Sequence, residues 1–214
     1  MLSVTDKRLR WSVAAGIALV SALVAAGLTA VDLSSGAGLL VFFLYSIPCE
    51  FLVSLAPHDP AVLYLAIHHA PLVVALVGGA GTLVAESVNY LLLRHMSGSP
   101  TVAGFAGSRT ISRLADSFAR APFVTLWIAG FIPTIPFSAL RLFVLVREYP
   151  RGRYLLAAVS SRTLRFYLVA LLGYALRPSP QLIAILFVVL ILAVTLPGVY
   201  VILAQRGPWR VRRS

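Results

Sequence analysis

Apolar runs of bilayer-spanning length follow one another along this chain, with only short polar interruptions between them. Such a pattern leaves little to face water. Hydrophobic residues make up 59% of the sequence and charged residues 12%, against about 25% charged in an ordinary soluble domain. Lipid must therefore be the solvent for most of the protein. A soluble enzyme, a disordered tail and a disulfide scaffold are excluded, and Cys49, the single cysteine, has no internal partner. The net charge of +11 fits cytoplasmic loops and anionic lipid headgroups better than nucleic acid. The expected partners are membrane lipids, with no nucleic acid; a homo-oligomer is compatible with the pattern.

Met1 to Arg10 carry Lys7, Arg8 and Arg10, and an uncharged run extends from Trp11 to Val31, ending at Asp32. Roughly 20 apolar residues cross a bilayer, so this run predicts a first transmembrane helix. A signal peptide is the competing reading, but its apolar core is about 7–15 residues, shorter than this run. The stretch Leu33–Ala56 is broken by Pro48 and contains Glu50. After the polar knot Pro57-His58-Asp59-Pro60, a second apolar region runs to Leu93. It is interrupted by His68, His69 and Pro71, and it carries Glu86. Ser97 to Gly107 is rich in Gly, Ser and Pro and reads as a loop. In Thr110–Ala121, Ile111, Leu114, Ala115 and Phe118 fall at helical spacing, with Arg113, Asp116 and Arg120 on other faces. That predicts a short amphipathic helix at the membrane surface or an ordinary connecting helix.

Pro122–Val146 is apolar, with Pro133 and Pro136 at its centre and Arg141 in its second half. A basic loop follows, holding Arg147, Glu148, Arg151 and Arg153. Tyr154–Leu176 is of spanning length yet carries Arg162 and Arg165. Beyond the turn Arg177-Pro178-Ser179-Pro180, Gln181–Ala204 predicts a last spanning helix, bent at Pro197-Gly198, and the tail holds Arg206, Arg210, Arg212 and Arg213.

Charge selects between two topologies. If every apolar region crosses fully from an inside amino terminus, Arg94–Arg120, with four arginines, falls outside, against the positive-inside tendency. If Leu33–Ala56 and Pro122–Val146 each enter and return on one side, both termini and the basic loops become cytoplasmic. Proline removes a backbone donor and breaks helices, so Pro48 and the Pro133/Pro136 pair mark where such hairpins would turn. Each arm of Pro122–Val146 is about eleven residues, roughly 16 Å or half a bilayer. Irregular backbone at that depth must be sheltered by protein or lie beside water. Two hairpins entering from opposite sides, each followed by a spanning helix with ionisable residues, have the outline of an inverted repeat.

The expected fold is an all-α polytopic membrane protein of about four spanning helices plus two re-entrant hairpins in an inverted repeat, with a short interfacial amphipathic helix. It forms one membrane domain over residues 1–214. The first helix occupies 1–32, the core 33–177, and the last helix and basic tail 178–214.

The side chains that carry chemistry are the intramembrane polar ones. A charge at a helix centre costs at least ~2.5 kcal/mol on insertion scales. Glu50, Glu86, Arg141, Arg162 and Arg165 must therefore face the interior, pair, or touch water. Glu86, Asn89 and Tyr90 share one helical face, and Arg162 and Arg165 share another. One reading is a transport path: desolvated carboxylates exchange protons, while arginine forks hold an anionic headgroup. The other is a set of buried ion pairs that lock the fold. Arg141 could instead reach the interface by snorkelling. His58 and Asp59 read as a solvated loop rather than a metal site. His68 and His69 are adjacent, point apart on a helix and make a poor metal pair. Ser160-Ser161 reads as helix packing. No CxxC, HExxH, Walker A or GxSxG pattern occurs, so no enzyme activity, cofactor or metal is expected.

At these residues the sequence resembles the DedA/VTT-domain family, also called the SNARE-associated Golgi protein family. Ile47-Pro48-Cys49-Glu50 looks like its P-x-E element. Gly81-x4-Glu86-x3-Tyr90-x3-Arg94 is similar to its G-x-x-x-G-[DE]-x-x-x-Y-x-x-G-R stretch. Phe131-Ile132-Pro133-x-x-Pro136-Phe137 resembles its second hairpin, and Arg162-x-x-Arg165-Phe166 the start of its following helix. The four matches cover about Gly36 to Leu176 in the family's order. Gly130 stands where many members have arginine, and Ala85, Leu93 and Ser161 replace family glycines. The resemblance implies paired re-entrant hairpins and the flipping or scrambling of phospholipids or polyprenyl-phosphate carriers, with dependence on proton-motive force in bacteria. By motif position it implies Glu50 and Glu86 as proton-responsive acids and Arg162 and Arg165 as an essential basic pair. The expected location is the plasma membrane of a prokaryote, with both termini cytoplasmic. The rival functions are a proton-coupled transporter of a small solute or ion, and a non-transporting membrane assembly factor.

Overall fold

The computed structural model describes residues 33–51, 57–96, 116–133, 135, 137–146 and 148–190. The described residues are helical, with no strand among them. In chain order they form α1 (Gly36–Cys49), α2 (Asp59–Leu65), α3 (Pro71–Met96), α4 (Pro122–Phe131), α5 (Phe137–Val146) and α6 (Arg151–Leu176). Pro180–Leu190 forms α7. Residues 116–120, the end of the expected amphipathic helix, are helical. The expected helix Trp11–Val31, the loop Ser97–Gly107, Pro136, and the bend and basic tail beyond residue 190 lie outside the described residues.

Prolines start helices here more often than they end them. Pro60, Pro71, Pro122 and Pro180 each sit in a first turn, where the missing N–H has no intrahelical acceptor to lose and φ is already helical. α6 stops at Arg177, which takes the left-handed conformation (φ 42°) directly before Pro178.

Among the described residues, a short helix pair doubles back ahead of each of the two long helices, α3 and α6. In the first reversal, α1 ends at Cys49 and the chain returns through α2. His58 Nε2 lies 2.8 Å from Ser46 Oγ, and His69 Nε2 lies 2.8 Å from the carbonyl of Leu33, where the segment began. In the second, α4 and α5 are ten residues each, about 15 Å. They turn at Ile132–Ile135, and Phe118, just before α4, meets Phe143 near the end of α5 (ring centroids 6.2 Å).

Each reversal packs on the long helix that follows it. A Cβ on Gly81 of α3 would come within 2.5 Å of Ser46, and Asn89, two turns on, bonds the carbonyl of Glu50. α1 and α3 therefore run parallel. Phe118 meets Tyr149 (5.8 Å) and Gly130 meets Ser161, so α4 and α6 also run parallel. α3 and α6 pair in opposite order: Gly78 beside Phe166, Gly79 beside Thr163, and Tyr90 beside Tyr154. They are antiparallel, so the second reversal-and-helix unit is turned over relative to the first.

Glycine also lets α2 come close to α6. Added to Gly173 of α6, a Cβ would lie 2.6 Å from the backbone oxygen of Leu63 in α2. Backbone has no rotamer with which to yield. Gly173→Ala is expected to push α2 off α6 and cost about 1–3 kcal/mol, as overpacking does; a fall in the thermal unfolding midpoint of the purified protein measures it.

Large apolar side chains line the outside of the described bundle, and ionisable ones lie inside it. Leu40, Leu76, Leu91, Val124, Leu156, Leu172 and Val188 are exposed, while Glu86, Asn89, Arg141 and Arg162 are buried. Among the described residues two helices, Pro71–Leu92 and Arg151–Leu176, are long and apolar enough to cross a membrane.

Three sequence expectations change. Pro48 does not break α1: it lies in the last turn, and the helix continues to Cys49. The reversal comes after Glu50, because a proline this close to a helix end forfeits only one bond of the ladder. The first hairpin also does not end at Ala56. Its return arm runs to His69, and the long helix begins only at Pro71. The apolar run to Leu93 hid this boundary, since the return arm is as apolar as the helix after it. Finally, His58 and Asp59 do not form a solvated loop; His58 is buried against three aromatic rings.

Candidate functional site

Glu86 sits midway along α3, where that helix crosses α6, and its side chain is fully buried. Its carboxylate is surrounded by donors. Arg141 of α5 grips it with two groups: Nε donates to Oε2 (3.1 Å) and Nη2 to Oε1 (2.5 Å). Arg162 of α6 donates to Oε1 and the Tyr154 hydroxyl to Oε2. Asn89, one turn on, reaches Oε2 at 3.4 Å. A carboxylate buried without such partners would cost several kcal/mol.

The tips of both reversals meet the partners of this carboxylate. Glu50, at the end of α1, accepts from Arg162 Nη1 at 2.7 Å, and its side chain keeps 11% exposure. The Glu50 backbone carbonyl accepts from Asn89 Nδ2 (2.8 Å) and Arg141 Nη2 (2.9 Å). Carbonyls in a last helical turn lack intrahelical donors and carry the negative end of the helix dipole. A guanidinium and an amide satisfy this one. From the second tip, Phe137 lays its ring under both arginines, 4.4 Å from Arg162 Cζ and 5.2 Å from Arg141 Cζ. Two carboxylates and two guanidiniums balance in charge, so the network needs no external ion.

A second pair lies one turn along α6. Arg165 bonds Asp59 of α2, with side chains 21% and 29% exposed. Beside it His58 packs on Phe166 (4.2 Å) and Phe42 (5.2 Å). The two pairs mirror each other: Arg141 on the second return arm holds Glu86 of α3, and Asp59 on the first return arm holds Arg165 of α6. Each return arm is thus tied to the long helix of the other unit.

The residues singled out in the sequence separate accordingly. Glu50, Glu86, Arg141, Arg162 and Asn89 form one network. Arg165 stands apart from it, with Asp59. Arg141 does not snorkel: it is 4% exposed and committed to Glu86. Tyr90 touches the network only through Tyr154 (ring centroids 5.8 Å) and donates to the Tyr149 carbonyl at 3.5 Å. Pro48 and Pro133 lie at the two tips without polar contact to the network. His69 and His68 face separate partners, Leu33 and Tyr64. Ser161 packs on Gly130, whose Cβ would lie 2.2 Å from the serine oxygen, so an arginine at 130 would have no room.

Sequence reasoning missed Tyr154, Phe137, His58 and Asp59. For Tyr154 a signal existed: Tyr154, Ala158, Arg162 and Phe166 recur every fourth residue, and all four are buried. Their stripe is the face α6 turns inward. For His58 and Asp59 none existed, because a polar knot flanked by prolines is also the signature of a solvated turn.

Among the described residues no group of three or more metal-ligating side chains comes together. No family model, curated protein or solved structure matches the chain in comparisons with each.

Proposed function

We propose that this is a polytopic membrane protein of the DedA/VTT kind, that its two reversals are re-entrant hairpins entering from opposite sides, and that it moves a phospholipid or lipid-linked phosphate between leaflets. The observation that carries the reading is the meeting of both tips at a charged, buried network inside a bundle whose outer surface is apolar. In lipid, backbone that turns at mid-depth must be sheltered, and charges there mark ion or substrate pathways more often than they mark packing. α4 and α5, at about 15 Å each, reach half a bilayer. Arginine forks match phosphate geometry, and Arg162 is held by Glu50 at the exposed side of the network. In this reading a headgroup phosphate replaces Glu50 as partner of Arg162. The loops rich in arginine, and both termini, face the cytoplasm of a prokaryotic cell.

The network's internal charge balance favours a second reading, a non-transporting assembly factor in which the ion pairs only fix the bundle. Reconstitution into liposomes with leaflet-labelled phospholipid separates the two. The wild-type protein is expected to move the label, and Glu50→Gln, which leaves Glu86 with both arginines, is expected to change the rate while the protein stays folded. No movement by folded wild-type protein leaves the assembly reading. The hairpin itself is tested by cysteines placed at Ala121 and Pro150, the exposed flanks of the second reversal. Both should label from the same side of the membrane; labelling from opposite sides excludes re-entry.

A further inference from the structure

We propose that His58, Asp59 and Asn89 line an internal hydration path that leads from the partly exposed Asp59–Arg165 pair to Glu50. The proposal stands independently of what the protein transports. Its basis is three buried polar atoms that no described residue serves: His58 Nδ1, Asp59 Oδ1 and Asn89 Oδ1.

All three are acceptors. The Ser46 hydroxyl is committed as donor to the Phe42 carbonyl (2.8 Å), so its oxygen accepts from His58 Nε2–H (2.8 Å). In that neutral tautomer Nδ1 carries a lone pair. Asp59 spends its other oxygen on Arg165. Asn89 points its NH2 at two acceptors, the Glu50 carbonyl and Glu86, which assigns its remaining atom as the amide oxygen. Leaving a buried acceptor unpaired costs about 1–3 kcal/mol, and native proteins pair nearly all of them, with water where side chains do not reach. Water supplies two donors, and the missing complement here is donors only.

The acceptors also fall in order. Asp59 is 29% exposed. His58 is its neighbour and bridges to Ser46 on α1. Ser46 and Glu50 are one turn apart, about 6 Å along the helix, and Asn89 holds the Glu50 carbonyl. The line therefore joins the outer ion pair to the inner network along the seam between α1, α2 and α3, with Phe166 of α6 packed against it. Apolar seams elsewhere in the bundle, such as Val62, Leu65 and Ala66, carry no such atoms. The path gives the buried carboxylates contact with the aqueous phase.

The test is substituted-cysteine accessibility in the full-length protein in lipid vesicles, with Cys49→Ala to remove the native thiol. The probe is 2-aminoethyl methanethiosulfonate, and unreacted thiols are counted after denaturation. Ser46→Cys is expected to react on the order of tenfold faster than Val62→Cys, because the reactive thiolate forms where water solvates it. A folded Ser46→Cys that reacts no faster than Val62→Cys overturns the proposal. A second measurement needs no variant at Ser46: magnetisation transfer from water to 15N-labelled histidine rings in the wild-type protein, with the His58 signal assigned by its loss in His58→Phe. Transfer to the His58 ring supports the path, and a dry His58 ring overturns it.

Discussion

Glu86→Gln is expected to unfold the protein or leave it aggregated on extraction. Glutamine keeps the shape but not the charge, and Arg141 and Arg162 would then face each other across the bundle with one carboxylate, Glu50, between them. Breaking a buried ion pair from one side costs about 3–5 kcal/mol, because the abandoned charge stays desolvated. That is a large share of the about 5–15 kcal/mol that holds a typical domain together. The double variant Glu86→Gln with Arg141→Met removes one acid and one base and restores the balance. It is expected to recover much of the loss, since a matched apolar replacement of a buried pair is often neutral or better. Thermal unfolding of the three proteins in detergent decides the matter. A double variant no more stable than Glu86→Gln would show that charge compensation is not what Arg141 contributes.

The second large effect is expected at Arg162, and in activity more than in folding. Arg162 joins Glu50 to Glu86 and rests on Phe137. In Arg162→Gln, Glu86 keeps both hydrogen bonds from Arg141 and the one from Tyr154, so the interior stays paired. Glu50, at the tip and partly exposed, is the group left without its guanidinium. Under the proposed function, lipid movement in liposomes is expected to fall about 10²-fold, the equivalent of roughly 3 kcal/mol of lost binding. Far-ultraviolet helicity and the unfolding transition should remain. Movement at the wild-type rate by folded Arg162→Gln would remove this arginine from the mechanism. Under the assembly reading neither the wild type nor this variant moves lipid.

How much of this was legible beforehand differs from residue to residue. Glu86 and Arg162 stood out because an ionisable side chain inside an apolar run has few tolerable surroundings, and opposite charges on separate helices invite each other. The turn between α4 and α5 was legible from two prolines near the centre of a run too short to cross twice. The return arm 57–69 was not: a seven-residue helix flanked by apolar sequence has no periodicity of its own. Arg141 was ambiguous, since a long flexible cation in a short helix can reach water or an acid equally well. Only the position of α3 opposite α5 chose the acid. Asp59 was invisible as a partner of Arg165 because 106 residues separate the two.

From its residues alone the chain dictates its apolar, helical character, and that Glu50, Glu86 and the three arginines, placed inside apolar runs, call for partners from within. These follow from hydropathy and from the cost of burying charge, and both are local properties. Who answers whom was decided by the tertiary structure: Arg141 and Arg162 with Glu86, Arg162 with Glu50, Arg165 with Asp59. Pairing depends on the antiparallel order of α3 and α6 and on which reversal packs on which long helix. Sequence spacing carries no information about that order, because the contacts that fix it lie between helices far apart in the chain.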